Sequence, residues 1–482
     1  MSSEPHPCPY LSTISRPSID FDFEPTCSVT LVSNNIYCCL VCGVNFRGRS
    51  KQTPAYIHSV NEDHNVFMSL EKGTFWCLPD GYEIVDPSLD DIKRAFKPVY
   101  TKEEIAQIDT QTDLSRDLFG RRYLPGFVGL NNLNKTDCIN ATIQALVHVK
   151  PLRDFFLQCG DGKPFELVLK NSSSKKRHRN GHHKKKKTIT VDPESFSHLA
   201  KMFGDLIRKI WSDKRFKSTV DPHMLVQAIS NDSNKRFHVG KQIEAGEFMA
   251  WLLHQLHIGT GGKKSGSSII HEIFQGSVEV TTRRQKLLHL SDVKEEEDDR
   301  YGSEDENEMK EKELQKTIDT HEVEEIISET NFLQLTLDIP EKPLFKDDAG
   351  GLVIPQEPLV NILKKFDGVT FSDVLTAQGL QRRRYKVKQL PNYLILCVAR
   401  FKKNEFNNEK NPTIVPFPVK NLDLGRYVMS SSNDGKTSVP TEDQVRGMSV
   451  SERIVFSTYS SDQPYHVQSN ISYDYSIHRS KN

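Results

Sequence analysis

Apolar positions along this chain recur with two periods, and two long stretches interrupt them. Short apolar runs at Val29-Thr30-Leu31-Val32 and Val66-Phe67-Met68 predict strands. Asp90 to Phe96 predicts a helix. The stripe Ile139, Ile143, Leu146 predicts another, opening at Thr136 or Asp137, either of which serves as an N-cap. In Ala245 to His257 the apolar residues also recur at helical spacing, so that segment packs a core. Residues 102–120 are polar and helix-compatible, which predicts a linker helix over about 106–122. The run Leu390 to Phe401 reads as a strand.

The interruptions carry charge. Residues 171–187 (NSSSKKRHRNGHHKKKK) are largely basic and hold no apolar side chain, and residues 291–326 are rich in Glu and Asp. Neither can bury a core, so both read as disordered surface inserts. The basic run suits a nuclear import signal or a phosphate-binding patch as well as it suits a solvated loop. The acidic run reads as a solubilising loop. Lys plus Arg number 64 and Asp plus Glu also 64, so the net charge is zero and no global field points to nucleic acid or a membrane. No apolar run approaches the ~18 residues of a membrane span, and the N-terminus lacks a secretory pattern. There is no internal repeat.

The 482 residues hold nine cysteines, an odd count, with one Cys-x-x-Cys and histidines nearby. That reads as an intracellular chain with a metal site, not a disulfide framework. Cys39 and Cys42, followed by His58 and His64, make a Cys2His2 set. Two thiolates and two imidazoles suit tetrahedral zinc and leave no open position, so one structural Zn2+ is expected. Cys38 competes with Cys39, but only Cys39 has the two-residue gap to Cys42. Most cysteines fall before residue 105, which sets 1–105 apart as a small metal-stapled module. A second domain is expected over 123–427, with a divergent, disordered tail at 428–482.

The stretch Cys39-Leu40-Val41-Cys42-Gly43, Phe46-Arg47-Gly48-Arg49, His58 and His64 resembles the UBP-type zinc finger, a ubiquitin-binding module attached to several deubiquitinases. Some members of that family hold three zincs. Here Phe46 stands at a third cysteine position, and Cys27, Cys8 and Cys77 lack the partners they would need, so one zinc is the expectation. Arg49 matches an arginine near the family's pocket for the ubiquitin C-terminus.

Gly129-Leu130-Asn131-Asn132-Leu133-Asn134-Lys135-Thr136-Asp137-Cys138-Ile139-Asn140 resembles the cysteine box of the ubiquitin-specific proteases, G-L-x-N-L-G-N-T-C-Y-M-N. Asp137 stands in the nucleophile slot and Asn132 in the oxyanion slot. A register with Cys138 as nucleophile misplaces both Asn132 and Asn140 by one residue. A carboxylate is a poor nucleophile for an isopeptide carbonyl, because it is the better leaving group. The plain role of Asp137 is that of a helix N-cap.

Further matches to that family are Ala245 to His257, Phe274-Gln275-Gly276, Leu390 to Phe401, Val415-Pro416-Phe417-Pro418 and Leu422-Asp423-Leu424. The resemblance implies an α+β papain-like fold, with a helical thumb and a β-rich palm and fingers. Two family features are missing: the Cys-x-x-Cys pairs of the fingers and the late Gly-His-Tyr box that supplies the general base. His466 in Pro464-Tyr465-His466-Val467 is a poor match to that box, and the closing strands of the domain are expected to be incomplete.

Cys8-Pro9-Tyr10-Leu11, Asp20-Phe21-Asp22-Phe23-Glu24, Tyr56 to Val60, Cys77-Leu78-Pro79-Asp80 and Lys410 to Val415 are similar to a nucleophile-less subgroup, the spliceosomal tri-snRNP-associated, snRNP-assembly-defective type. That resemblance implies a non-catalytic nuclear scaffold in pre-mRNA splicing. Its implied partners are spliceosomal snRNP proteins, with weak or no ubiquitin binding and no direct sequence-specific contact with nucleic acid. Two other readings stay open, a working deubiquitinase using Cys138 and a ubiquitin-binding module without cleavage.

Overall fold

A computed structural model describes residues 8–111, 113–169, 187–262, 268–285, 323–340, 345–346, 352–376, 379–403, 408–418, 422, 424–427 and 455–457. The tail expected over 428–482 falls almost wholly outside these residues, as do His466, residues 171–186 of the basic insert and 291–322 of the acidic one. The chain divides into two compact units, one running to Ile273 and one from Phe274 to Phe456.

The first unit begins with a five-stranded antiparallel sheet. Its strands are β1 (Ile36–Cys39), β2 (Asn45–Arg47), β3 (Val66–Ser69), β4 (Phe75–Cys77) and β5 (Tyr82–Ile84), in the order β2-β1-β3-β4-β5. Side chains alternate across a strand, so adjacent cysteines of β1 part company. Cys38 lies opposite Met68, which faces Phe75, which faces Ile84. These pack with Leu89 and with Ile92 of α2 (Asp90–Phe96). Cys39 lies opposite Phe67 on the other face, packed with Phe46, Tyr37 and Ala55 of α1 (Pro54–Glu62). Both faces are covered, and the strands are buried accordingly.

Two expectations fail in this unit. Val29 to Val32 forms no strand. The chain turns there, Leu31 takes a positive φ of 55°, and Val29 and Leu31 are exposed. The turn wraps the buried Cys27, whose sulfur accepts the backbone N–H groups of Thr30 and Arg47 at 3.4 and 3.3 Å. The linker helix over 106–122 is also absent. A short helix, α3 (Lys102–Gln107), starts earlier on a Thr101–Glu104 capping box. Ser115–Arg116 then pairs with Arg122–Tyr123 in a hairpin. Residues 8–105 pack against the helices that follow. Lys209 donates to Asp22 and to the Phe21 carbonyl, and the Tyr100 hydroxyl donates to the Arg208 carbonyl.

The helices are α4 (Asp137–Val147), α5 (Lys150–Gln158), α6 (His198–Trp211), α7 (His223–Asp232) and α8 (Ala245–Gly259). The stripe predicted from Ile139, Ile143 and Leu146 is fully buried in α4. In α6, Ser197 caps the first turn by accepting from the Ala200 N–H. Phe203, Ile207 and Ile210 then line its buried face. Gly126, at φ +87°, allows the Leu124-Pro125-Gly126 turn to pass the Trp211 indole, where an added Cβ would fall 2.5 Å from the ring. Lys187, placed in the basic insert from sequence, starts the strand Lys187–Val191 that pairs with Phe165–Leu169.

The second unit is mostly β. A four-stranded antiparallel sheet runs in the order Val323–Phe332, Gly276–Gln285, Gly379–Gln389, Asp367–Thr376. Residues 323–326, counted in the acidic insert from sequence, are therefore strand. Glu325 in this segment meets Arg283, directly opposite on the adjacent strand, at 3.7 Å, and Arg384 one strand further at 3.5 Å. Leu335–Asp338 pairs in parallel with Ile395–Ala399, inside the predicted 390–401 strand. Leu337, Leu359, Leu363, Phe366, Leu394 and Leu396 form the core beneath. Among the described residues no helix is long and apolar enough to cross a membrane.

Candidate metal centre and the position of Asp137

Cys39 leaves the end of β1 on the α1 face, and Cys42 follows after a tight turn closed by the Gly43 N–H donating to the Cys39 carbonyl at 2.8 Å. Gly43 takes φ +78° there and passes the Ser18 carbonyl too closely for any Cβ. His58 comes from α1, and His64 follows the αL residue Asp63 that ends it. The four ligand atoms lie within 4.8 Å of one another. Cys39 Sγ is 3.7 Å from His64 Nδ1, Cys42 Sγ is 3.5 Å from His58 Nε2, and the two ring nitrogens are 3.0 Å apart. Tetrahedral zinc bonds of ~2.3 Å to sulfur and ~2.0 Å to nitrogen would place sulfur and nitrogen ~3.5 Å apart and two nitrogens ~3.3 Å apart. The donor set and its spacing therefore fit zinc.

The electrostatics agree. Burial, with the neighbouring Cys42, pushes the Cys39 thiol up to about 12. A thiolate there needs a cation to compensate it. Burial and the His64 charge hold His58 below its ordinary value, which keeps the imidazole neutral, as a ligand must be. Phe46, at the third cysteine position of the finger family, stacks on the His58 ring with centroids 4.2 Å apart and 24° between planes. It fixes the orientation of that ligand. Sequence reading marked Phe46 only as a lost cysteine, and nothing in the sequence signals its stacking role.

Asp137 is the first residue of α4, and Thr136 is the N-cap. The carboxylate sits at the positive end of the helix dipole, where a negative charge is favoured. Asn132 is committed locally. Its side-chain oxygen accepts from both the Thr136 N–H and the Thr136 hydroxyl at 3.1 Å, while that hydroxyl oxygen accepts the Leu133 N–H at 2.9 Å. Asn140 donates to the Asn131 carbonyl at 3.0 Å. The loop before α4 is thus tied by its own side chains.

Cys138 is only 1% exposed. Burial, reinforced by the charges of Asp137 and Glu244, pushes its thiol up to about 12. It stays protonated at neutral pH, and the thiol is not the nucleophilic form. Arg49, matched from sequence to a ubiquitin-pocket arginine, lies over the Trp76 ring at 3.6 Å.

Comparison with known proteins covers both regions. Residues 128–474 match the model of the family described as ubiquitin carboxyl-terminal hydrolase, and residues 26–89 match the zinc finger found in ubiquitin hydrolases and other proteins. The chain is 41% identical over 423 residues to human ubiquitin carboxyl-terminal hydrolase 39, covering 87% of this chain and 67% of that one. It is 34% identical over 440 residues to the probable mRNA-splicing protein ubp10 of Schizosaccharomyces pombe, covering 90% and 76%. Among solved structures, that of an essential yeast splicing factor superposes with a TM-score of 0.59 at 25% identity, covering 85% of this chain and 82% of that one. A finger that gathers Cys39, Cys42, His58 and His64, followed by the matched protease-like fold, places this chain in the ubiquitin carboxyl-terminal hydrolase family.

Proposed function

We propose that this protein is a non-catalytic member of its family, a nuclear scaffold supporting the assembly or stability of the spliceosomal tri-snRNP. The observation that carries the first half is the pair Asp137–Cys138. The slot holds a carboxylate, and the adjacent thiol is buried with its proton held to about 12. The Cys138 thiol is not poised to attack a carbonyl, and loss of the nucleophile in a catalytic triad typically costs on the order of a million-fold in rate. The second half is supported by relatives whose names describe splicing proteins. Snrnp proteins are the partners in this reading, and ubiquitin is bound weakly or not at all.

Cys39, Cys42, His58 and His64 hold one structural zinc, which staples α1 to the sheet of the finger. With four protein ligands the ion keeps no open position and supplies folding energy in place of chemistry.

The test uses the full chain. Incubated with di-ubiquitin and with a fluorogenic ubiquitin substrate, it is expected to release nothing above background. Added to nuclear extract depleted of it, it is expected to restore splicing. Cleavage that disappears in Cys138→Ser would refute the non-catalytic reading, and failure to restore splicing would refute the scaffold.

A further inference from the structure

The hairpin Ser115–Tyr123 is stiff and carries side chains that nothing in the described protein covers. Its turn is built around Asp117, whose side chain is fully shielded from solvent. The Asp117 carboxylate accepts from the Phe119 N–H at 3.0 Å, the Arg121 N–H at 2.8 Å and the Arg121 Nε at 2.8 Å. Gly120, at φ +76°, closes the turn by donating to the Asp117 carbonyl at 3.0 Å. The Leu118 N–H donates to the Phe216 carbonyl at 3.3 Å and ties the tip to the rest of the unit. All this holding displays two apolar side chains to water, Leu118 at 40% and Phe119 at 61% exposure, with Leu114 at 55% beside the first strand.

A second observation is independent of the first. Arg116 and Arg122 lie directly opposite each other in the ladder, so both side chains leave the same face. Like charges so placed are destabilising. Among the described residues neither makes an ion pair, and Arg116 reaches only the Gly120 carbonyl, at 3.2 Å. The carboxylate between them in the chain, Asp117, is spent inside the turn.

We infer that this hairpin is a preformed docking knob for a spliceosomal protein with an apolar groove rimmed by carboxylates. Rigid aromatic and arginine groups at the centre of a contact are the residue types that dominate binding energy, and a preordered loop loses little entropy on docking. A partner carboxylate between Arg116 and Arg122 would relieve their repulsion and form charge-assisted hydrogen bonds. A protein is favoured over an RNA strand for two reasons. Leu114 and Leu118 offer no stacking face, and the Arg121 guanidinium already lies 5.3 Å from the centre of the Phe119 ring. The inference rests on the scaffold reading and names a surface for it.

The experiment measures equilibrium binding of fluorescently labelled full chain to purified tri-snRNP particles. Three forms are compared: unaltered, Leu118→Ser with Phe119→Ser, and Arg116→Ser with Arg122→Ser. Each variant is expected to weaken binding about tenfold or more without lowering the melting temperature, since the altered side chains are exposed and the two arginines repel. A photoreactive phenylalanine at position 119 is expected to crosslink to a protein, at an acidic and apolar peptide. Equal binding by all three forms would overturn the docking knob alone. Absence of binding by the unaltered chain would overturn it together with the scaffold reading. A crosslink to RNA would overturn the choice of partner.

Discussion

Asp22 and Lys209, 187 positions apart, meet at 2.8 Å between carboxylate oxygen and ammonium nitrogen, with side chains only 17% and 18% exposed. The second Asp22 oxygen accepts the Asp221 N–H at 3.1 Å, and Lys209 also donates to the Phe21 carbonyl at 2.8 Å. These bonds fasten the segment leading into the finger sheet onto α6 and the loop beyond α6.

Burial of Asp22 opposes its ionisation, but Lys209 outweighs that and holds the carboxyl below its ordinary value. A depressed carboxylate pKa contributes stability above the unfolded value of ~3.9, lost as pH falls through the folded value. Asp22→Ala leaves the Lys209 charge half-buried and is expected to cost about 2 kcal/mol, below the ~3–5 kcal/mol of a fully buried pair. Chemical denaturation at pH 7 checks this, and a loss under 0.5 kcal/mol, the size of a typical surface substitution, would show that the pair fastens nothing.

Asp109 works the same way at a second joint. Burial opposes its ionisation, but hydrogen bonds from Arg153 and Lys150 lower the carboxyl to about 2. The stability it adds is expected to persist above about pH 4 and to fade between about 4 and 2. Asp109→Asn should flatten the acid limb of a melting-temperature profile in that window and leave the profile near neutrality parallel to the original.

Cys138 should behave as an inert core thiol. With its proton held to about 12, its thiolate fraction at pH 8 is roughly a thousandfold below that of a free cysteine near 8.5. Iodoacetamide labelling followed by peptide mass spectrometry is expected to modify Cys138 only after denaturation. Prompt native labelling at pH 8 would contradict the burial. Asp137→Cys is expected to gain no activity on ubiquitin substrates.

Removing one metal ligand should unfold the finger. In Cys42→Ala, hydrogen exchange across residues 36–84 is expected to lose its protection, and elemental analysis to fall from about one zinc per chain to none. Zinc affinities of order 10 kcal/mol in such modules exceed what a five-stranded sheet this small supplies alone. Retained protection without zinc would show the ion is dispensable.

Gly126→Ala combines a positive φ with a contact 2.5 Å from the Trp211 ring. A loss of about 1–3 kcal/mol is expected. A melting temperature equal to the parent's would mean the turn can move aside.

Much of the finger and of the Asp137 site was legible in the chain itself. The two-residue gap selects Cys39 over Cys38, and strand alternation sends the two sulfurs to opposite faces of the sheet. The helix predicted at Asp90 to Phe96 has the bounds observed, and α4 begins at Asp137 as its apolar stripe requires. These features depend on neighbours a few positions away, and periodicity records such neighbours directly.

Other features depend on residues far off in sequence, and only the tertiary structure decided them. Val29 to Val32 has the composition of a strand but turns, because Cys27 takes its backbone donors, the sulfur accepting the Thr30 N–H and the carbonyl the Leu31 N–H. Residues 115–123 look helix-compatible but fold as a hairpin, because Asp117 draws three donors around itself. Phe46 became a clamp on His58 only through strand pairing. By itself the sequence placed a carboxylate in the nucleophile slot and four candidate metal ligands in order. Folding decided the state of the neighbouring Cys138 thiol, which is pushed up by burial and by the charges of Asp137 beside it and Glu244, more than a hundred positions away.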